Sequence, residues 1–456
     1  MTGPMRPALR PLVLYAAFLV AIVTPIFITP VFITHAQASE VSSQEGHAGR
    51  IFGYGKIMYV ADDKKGGRPN QSTPGFGGKL GGETADLYGF SLKGAVYTSQ
   101  DLGLQRDNPK QTDAYMFDLD KRPYSLLGEA QVNYRAGNTA LTAGRQTFFS
   151  PLINTYDYRI IPNLFEAYTL SHQAGANTQL TLSYVSKMSG LDGLVTFSEF
   201  RSMSQQAYTS LLVTPNGSIN ASTGDTLDPS TVVGHKGVWA VGAVYENVHA
   251  FQLWNYYGSD TLNTVYLEGQ FKQALSPDVS STIAMQAYQV SAVGRFKHYL
   301  AQHGLNAAYG LFGIKASLAH KPSGLSTSLA FNEFTGNEKT VTAYGNWGGY
   351  PEFVSMPYLY AENDGVSAIA NAQLARLTVL VNLSPYGFKE QSLLFGHARI
   401  NLDDAILANS DIRVNTVLYR ATLSPKLSAR VALEARRSRN ARYDNEFLAM
   451  SLRYDF

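Results

Sequence analysis

The chain has 456 residues, 37 Lys+Arg against 35 Asp+Glu for a formal charge of +2, and no cysteine. That balance points to no nucleic-acid partner, and the missing cysteine excludes a disulfide framework, a thiolate metal site and a cysteine nucleophile. The 28 Tyr, 23 Phe and 40 Gly suit aromatic girdles and closely approaching strands better than a helical core.

The first predicted element is a secretory signal. Arg6 and Arg10 precede an apolar run from Leu12 to Ile33, which leads to Ala36-Gln37-Ala38, a small-x-small cleavage pattern. This predicts a removable signal over residues 1–38 and a mature domain over 39–456 that starts at Ser39. An uncleaved anchor is the alternative, since a helix needs about 20 residues to span a bilayer, but Pro25 and Pro30 interrupt the run. After Ile33 no apolar run reaches the roughly 18 residues of a helical span.

Along the mature chain the signal is period two. From Leu448 to Phe456 one face reads Leu448, Met450, Leu452, Tyr454, Phe456 and the other Ala449, Ser451, Arg453, Asp455, so one face wants lipid and the other water. Strands are predicted near 50–61, 76–82, 85–99, 124–135, 139–149, 164–173, 178–188, 237–246, 248–258, 262–273, 278–290, 304–319, 325–334, 373–383, 391–402, 412–423, 427–437 and 445–456. Leu-Ser-Pro at 275–277, 383–385 and 423–425 marks strand ends, because proline cannot donate to a ladder. All three fall at the same end, and short breaks alternate with longer polar segments such as 101–123, 189–236 and 335–372. The fold class that follows is all-β: a transmembrane, antiparallel up-and-down β-barrel of about 18 strands, with short periplasmic turns and long extracellular loops. The weak glycine-rich 76–82 stretch and the long 189–236 segment leave 16 or 20 strands open.

Signatures of other chemistry are missing: there is no Gly-x-Ser-x-Gly, no His-Glu-x-x-His and no phosphate loop. Gly75-Phe76-Gly77-Gly78-Lys79-Leu80 lacks the third glycine of a dinucleotide fingerprint and opens no helix. His298 and His303 read as solvated loop residues, and no cofactor or metal is expected. The 11 residues from Ser39 to Gly49, ahead of Arg50, are too few for a globular plug, which argues against an active transporter. The sequence therefore reads as a channel for small solutes and not as an enzyme. An outer-membrane barrel hydrolase or an adhesin is the alternative.

Residues 140–167 include Ala140-Leu141-Thr142-Ala143-Gly144-Arg145-Gln146 and then Tyr156-Asp157-Tyr158-Arg159-Ile160-Ile161-Pro162-Asn163-Leu164-Phe165-Glu166-Ala167. This stretch, above all its Asp-x-Arg-x-x-Pro-x-x-Phe core, resembles the OprD family of substrate-specific outer-membrane porins. The Gly49–Gly55 stretch and the aromatic C-terminus fit as well. The resemblance implies an 18-stranded barrel, monomeric or loosely trimeric, embedded in outer-membrane lipid. It also implies inward-folded third and seventh loops, and uptake of small carboxylate-bearing solutes guided by basic side chains. A terminal aromatic, here Phe456, would engage the barrel-assembly machinery. Tyr156, Asp157 and Arg159 become constriction candidates, with a loop-anchoring role for Arg159 the equal alternative. Glu166-Ala167 stands where many relatives carry a glycine.

Strand parity adds a luminal set. Taking the lipid-facing residues of each late strand from its apolar side chains, Arg376, Arg399, Arg420, Arg430, Arg436 and Arg453 are expected to point inward. Arg376, Arg399 and Arg436 would lie near the outer mouth, and Arg420, Arg430 and Arg453 near the periplasmic end. The same parity turns Glu129 and Glu268 inward on earlier strands.

Overall fold

The computed structural model describes residues 49–456 except 107, 113–115, 119, 157–158, 191–195, 207–228, 343–344 and 355–369. The expected signal over 1–38 and the constriction candidate Asp157 lie outside the described residues.

Period-two sequence becomes one closed sheet. Its strands are β1 (Arg50–Lys64), β2 (Gln71–Glu83), β3 (Phe90–Gln100), β4 (Tyr124–Ala136), β5 (Thr139–Gln146), β6 (Leu164–Gln173), β7 (Thr178–Ser189), β8 (Val238–Glu246) and β9 (Ala250–Gly258). They continue with β10 (Leu262–Ala274), β11 (Val279–Ala292), β12 (Ala308–His320), β13 (Leu325–Phe334), β14 (Gln373–Asn382), β15 (Gln391–Asn401), β16 (Ile412–Ser424), β17 (Leu427–Ser438) and β18 (Asn445–Asp455). Each strand pairs antiparallel with its chain neighbours, and β1 closes on β18 from Tyr54↔Asp455 to Lys64↔Asn445. A two-residue strand, Arg201–Ser202, adds to the upper edge of β7. Closure leaves no open edge along the wall, the condition for a sheet to sit in lipid.

The two faces separate as the alternation requires. Ile57, Leu80, Val96, Leu127, Leu141, Leu182, Leu267, Phe312, Leu329, Leu377 and Phe395 are exposed on the outside. Near the end that carries the long loops, Tyr168, Tyr184, Trp239 and Tyr257 follow one another in register across β6, β7, β8 and β9. Near the short-turn end Phe90 and Tyr134 pack 4.4 Å apart, and Phe251 lies 5.2 Å from Phe271. Two aromatic belts flanking an apolar band mark the two membrane interfaces.

Two bulges reset the alternation within the wall, and a third irregularity, with Leu423 extra between Thr422 and Ser424, lies at the short-turn end of β16. In β4 Ala95 opposes Glu129 while Val96 opposes Leu127, so Gly128 is the extra residue, and a Cβ there would meet Tyr97 and Leu164 at 2.5 Å. In β7 Ser186 plays the same part between Val185 and Lys187. Side chains on either side of a bulge follow different parities.

The 101–123, 147–163, 190–237 and 335–372 connections, in their described parts, fold into the upper barrel. There they supply Met116, Phe117, Phe148, Leu152, Ile153, Ile160, Phe197, Trp347 and Phe353 to two buried clusters with inward wall residues. Asp118 ties two of these segments together by accepting from Phe197 N at 2.6 Å and from Thr196 and Ser198 Oγ at 2.5 Å.

Candidate pore and its constriction

The third and seventh loops, 147–163 and 335–372, meet inside the barrel. Trp347 N donates to Leu152 O at 2.8 Å and Asn154 N to Trp347 O at 3.1 Å, a short stretch of sheet between two loops. The Trp347 indole is fully buried and donates through Nε1 to Met203 O at 3.1 Å. Tyr156 meets Tyr350 edge to face at 6.1 Å, next to this contact.

Polar side chains on the inner wall hold both loops by their backbones. From β1, Tyr54 Oη donates to Ile160 O at 2.7 Å and Lys56 Nζ to Arg159 O at 2.5 Å. Across the barrel, β11 supplies Gln286, whose Nε2 donates to Pro351 O at 2.8 Å and whose Oε1 accepts from Phe353 N at 3.0 Å. Asn332 of β13 accepts from Val354 N at 2.8 Å, and Arg376 of β14 donates through Nη1 to Val354 O at 3.3 Å. Buried backbone polar groups need such partners, and the lumen face supplies them. Glu352, buried in this loop, accepts from Tyr288 Oη at 2.9 Å. Burial pushes its carboxyl up to about 7.

Arg159 is buried among the loops and not open to the lumen. It is 1% exposed, donates through Nη2 to Asn163 Oδ1 at 2.9 Å and lies 5.9 Å from the Phe197 ring centre. Of the three constriction candidates, Tyr156 stands at the meeting of the loops and Arg159 stands behind it.

Register sorts the proposed luminal arginines. Arg376 opposes Ala330 and Ala398, Arg420 opposes Arg430, Arg436 opposes Val414 and Asn445, and Arg453 opposes Lys56, all on the inner face. Arg376 and Arg436 lie near the outer mouth, and Arg420, Arg430 and Arg453 near the periplasmic end. Arg436 is 1% exposed, whereas Arg420 is open to the lumen. Arg453 stacks 3.9 Å from the Tyr54 ring centre and donates to Asp455.

Arg399 is a correction: it opposes Ala375 and Arg413 on the outer wall. The physical reason lies in its neighbours. Ala398 and Ile400 face inward, buried in the loop cluster, so upper β15 carries its apolar residues on the inner face and His397 and Arg399 on the outer one, and an apolar-out rule picks the wrong face.

Glu129 and Glu268 point inward, each in its own setting. Glu129 is sealed between Lys93 at 2.6 Å and Lys79 at 3.3 Å, with Tyr97 Oη donating at 2.6 Å. Glu268 accepts only from neutral groups among the described residues: Tyr266 Oη at 2.5 Å, Gln270 Nε2 at 2.6 Å and Gln252 Nε2 at 3.2 Å. Sequence reasoning missed Lys56, Lys79, Lys93 and Lys315, all inward. Continuing the parity of β18 around the seam would have found the first three. Lys315 lies 4.8 Å from the Phe353 ring centre, under the seventh loop.

Fold and apolar outer wall define an outer-membrane β-barrel of porin architecture. No protein-family model and no curated protein matches the chain. Among solved structures it is similar to OccAB1 of Acinetobacter baumannii, with a TM-score of 0.70 at 16% identity over 92% of this chain and 99% of that one. It is similar to OccK9 (OpdG) of Pseudomonas aeruginosa, with a TM-score of 0.70 at 14% identity over 90% and 98%. OpdK of the same organism, solved with vanillate, gives 0.68 at 13% identity over 90% and 98%. At these identities the likeness establishes the fold.

Proposed function

We propose that this protein is a passive channel for small polar solutes, exported with residues 1–38 removed, whose lumen favours carboxylate-bearing molecules such as amino acids or organic acids. One observation carries the reading: inward cations stand on β14, β16, β17 and β18 and continue across the seam onto β1, β2 and β3, beside a pore narrowed by two loops. Arg376 and Arg436 lie high on this wall, Arg420, Arg430 and Arg453 low, with Lys56 beside Arg453. A guanidinium stays charged and grips a carboxylate through two parallel hydrogen bonds, so a row of them can pass an acid along. Glu268 on β10 supplies the opposite sign on another part of the wall. A carboxylate-bearing ligand in the similar OpdK, vanillate, accords with this preference.

The chain acts as a channel and not as a hydrolase or adhesin. Phe456 serves as the handle for barrel assembly, and the working unit is a monomer or a loose trimer. The test is single-channel recording with reversal potentials on wild type and on the double variant Arg420→Gln, Arg430→Gln. The variant should shift toward cations and pass carboxylates several-fold more slowly at low salt. At physiological ionic strength screening over about 8 Å should shrink the difference. Unchanged selectivity and carboxylate flux at low salt would overturn the ladder. A protein that forms no channel at all would overturn the function.

A further inference from the structure

The outer wall carries a second basic feature, independent of the pore. Arg399, Arg413 and Arg437 are consecutive cross-strand partners on β15, β16 and β17, Arg399↔Arg413 and Arg413↔Arg437. All three are exposed, and each lies within two residues of the long-loop end of its strand. Directly opposed residues have Cβ atoms only about 4.5–5.5 Å apart, and like charges so placed repel. Arg437 is paired with Asp444 at 3.5 Å and with Glu446. Arg399 and Arg413 make no ion pair or hydrogen bond among the described residues. Asp411, two residues before Arg413, accepts through Oδ1 from Leu402 N at 2.8 Å.

The rows below fix the depth. Two residues down the strands come His397, Asn415 and Ala435, with His397 Nδ1 and Asn415 Oδ1 2.9 Å apart. Four residues down come Phe395, Val417 and Leu433, where the apolar band begins. At roughly 3.3 Å per residue the arginines sit about 13 Å along the strands above that band, less after strand tilt, at the height of head groups in the outer leaflet. Elsewhere on the same rim the outward cations have a carboxylate among them: Glu166 lies 3.2 Å from Lys187 and 4.0 Å from Arg145. The Arg399–Arg413 pair has none, which leaves a site for an external anion.

We propose that Arg399 and Arg413, flanked by Arg437, bind the phosphate of a phosphorylated lipid head group in the outer leaflet. Guanidinium and phosphate form bidentate, charge-assisted pairs, and one phosphate between two opposed arginines turns their repulsion into attraction. The acyl chains of the same lipid would lie on Phe395, Val417 and Leu433.

The experiment uses detergent-purified barrel and native mass spectrometry, with lipid A bearing two phosphates and fully dephosphorylated lipid A as probes. Wild type should hold the phosphorylated lipid, and the double variant Arg399→Gln, Arg413→Gln should hold it roughly tenfold less well, as expected for losing charge-assisted hydrogen bonds. The variant with lysine at both positions should fall between. Inorganic phosphate should compete only weakly, since it lacks the acyl contacts. Heat-modifiable migration and unchanged single-channel conductance confirm an intact barrel. Equal retention of both lipids by wild type, or equal retention of phosphorylated lipid by the glutamine variant, would overturn the proposal. So would a variant that changes only the oligomeric mass, which would make the row a contact between copies of the chain.

Discussion

Leu152 and Trp347, 195 positions apart, are joined by a 2.8 Å backbone hydrogen bond inside the barrel, and the indole is fully buried beside it. This contact turns two loops into one constriction. Replacing Trp347 by Ala removes the largest buried side chain of the junction, a change that typically costs about 3–5 kcal/mol. The variant should show higher single-channel conductance and faster proteolysis within 335–372, with the barrel still heat-modifiable. Wild-type conductance together with wild-type protection would show that the aperture is set elsewhere.

The seam between first and last strand offers a second prediction. Gly53 exchanges backbone hydrogen bonds with Phe456 at 3.1 and 3.3 Å, and a Cβ on Gly53 would lie 2.6 Å from the Phe456 ring and 2.2 Å from Lys79 O. Gly53→Val should therefore sharply lower the yield of folded barrel, and deleting Phe456 should lower it less. Densitometry of heat-modifiable protein in outer-membrane fractions measures both. A normal yield for the valine variant would contradict the tight seam.

A pH dependence follows from Glu352. Its carboxyl, raised from the ordinary 4.5 to about 7 by burial, is protonated when docked and ionises more readily when the loop is released. The docked state then binds more protons between these two values. Docking is strongest below pH 4.5, weakens as pH rises, and levels off above about 7. Tyr288 touches the carboxyl directly, while Arg376 and Lys315 hold the adjoining Val354 and Phe353. Conductance noise should rise, and hydrogen-exchange protection factors in 347–354 should fall, between pH 5 and 8, and Glu352→Gln should flatten that profile. A Gln variant with the wild-type profile would assign the titration to another group.

Glu129→Gln tests the charge balance of one wall segment. Removing one partner from a buried charge cluster typically costs about 3–5 kcal/mol, and here it releases Lys79 and Lys93 from their common carboxylate. The variant should melt earlier and show reversal potentials shifted toward anions. An unchanged reversal potential would mean that these lysines are screened from the ion path.

The wall was far more legible in the sequence than the lumen. Every one of the eighteen expected strands is present, because period two and proline turns act over a few residues. Even the glycine-rich 76–82 stretch is a strand, since it lies between β1 and β3 and its small residues let those backbones approach. Arg399 was misplaced because inward Ala398 and Ile400 are covered by loops, a long-range fact with no local signature. The Leu152–Trp347 junction was beyond reach for the same reason: 147–163 and 335–372 share no periodicity, and only barrel closure brings them together. The burial of Arg159 beside Asn163 and Phe197 likewise has no local signature.

The way the two loops are held has an evolutionary consequence. Tyr54, Lys56, Gln286 and Arg376 grip carbonyl oxygens of Ile160, Arg159, Pro351 and Val354, which every amino acid possesses. Where the loops sit is thereby uncoupled from much of what they display. These anchoring bonds do not depend on the identity of rings such as Tyr156 and Tyr350. Such a barrel can change the side chains its loops present while the bonds that hold those loops stay in place.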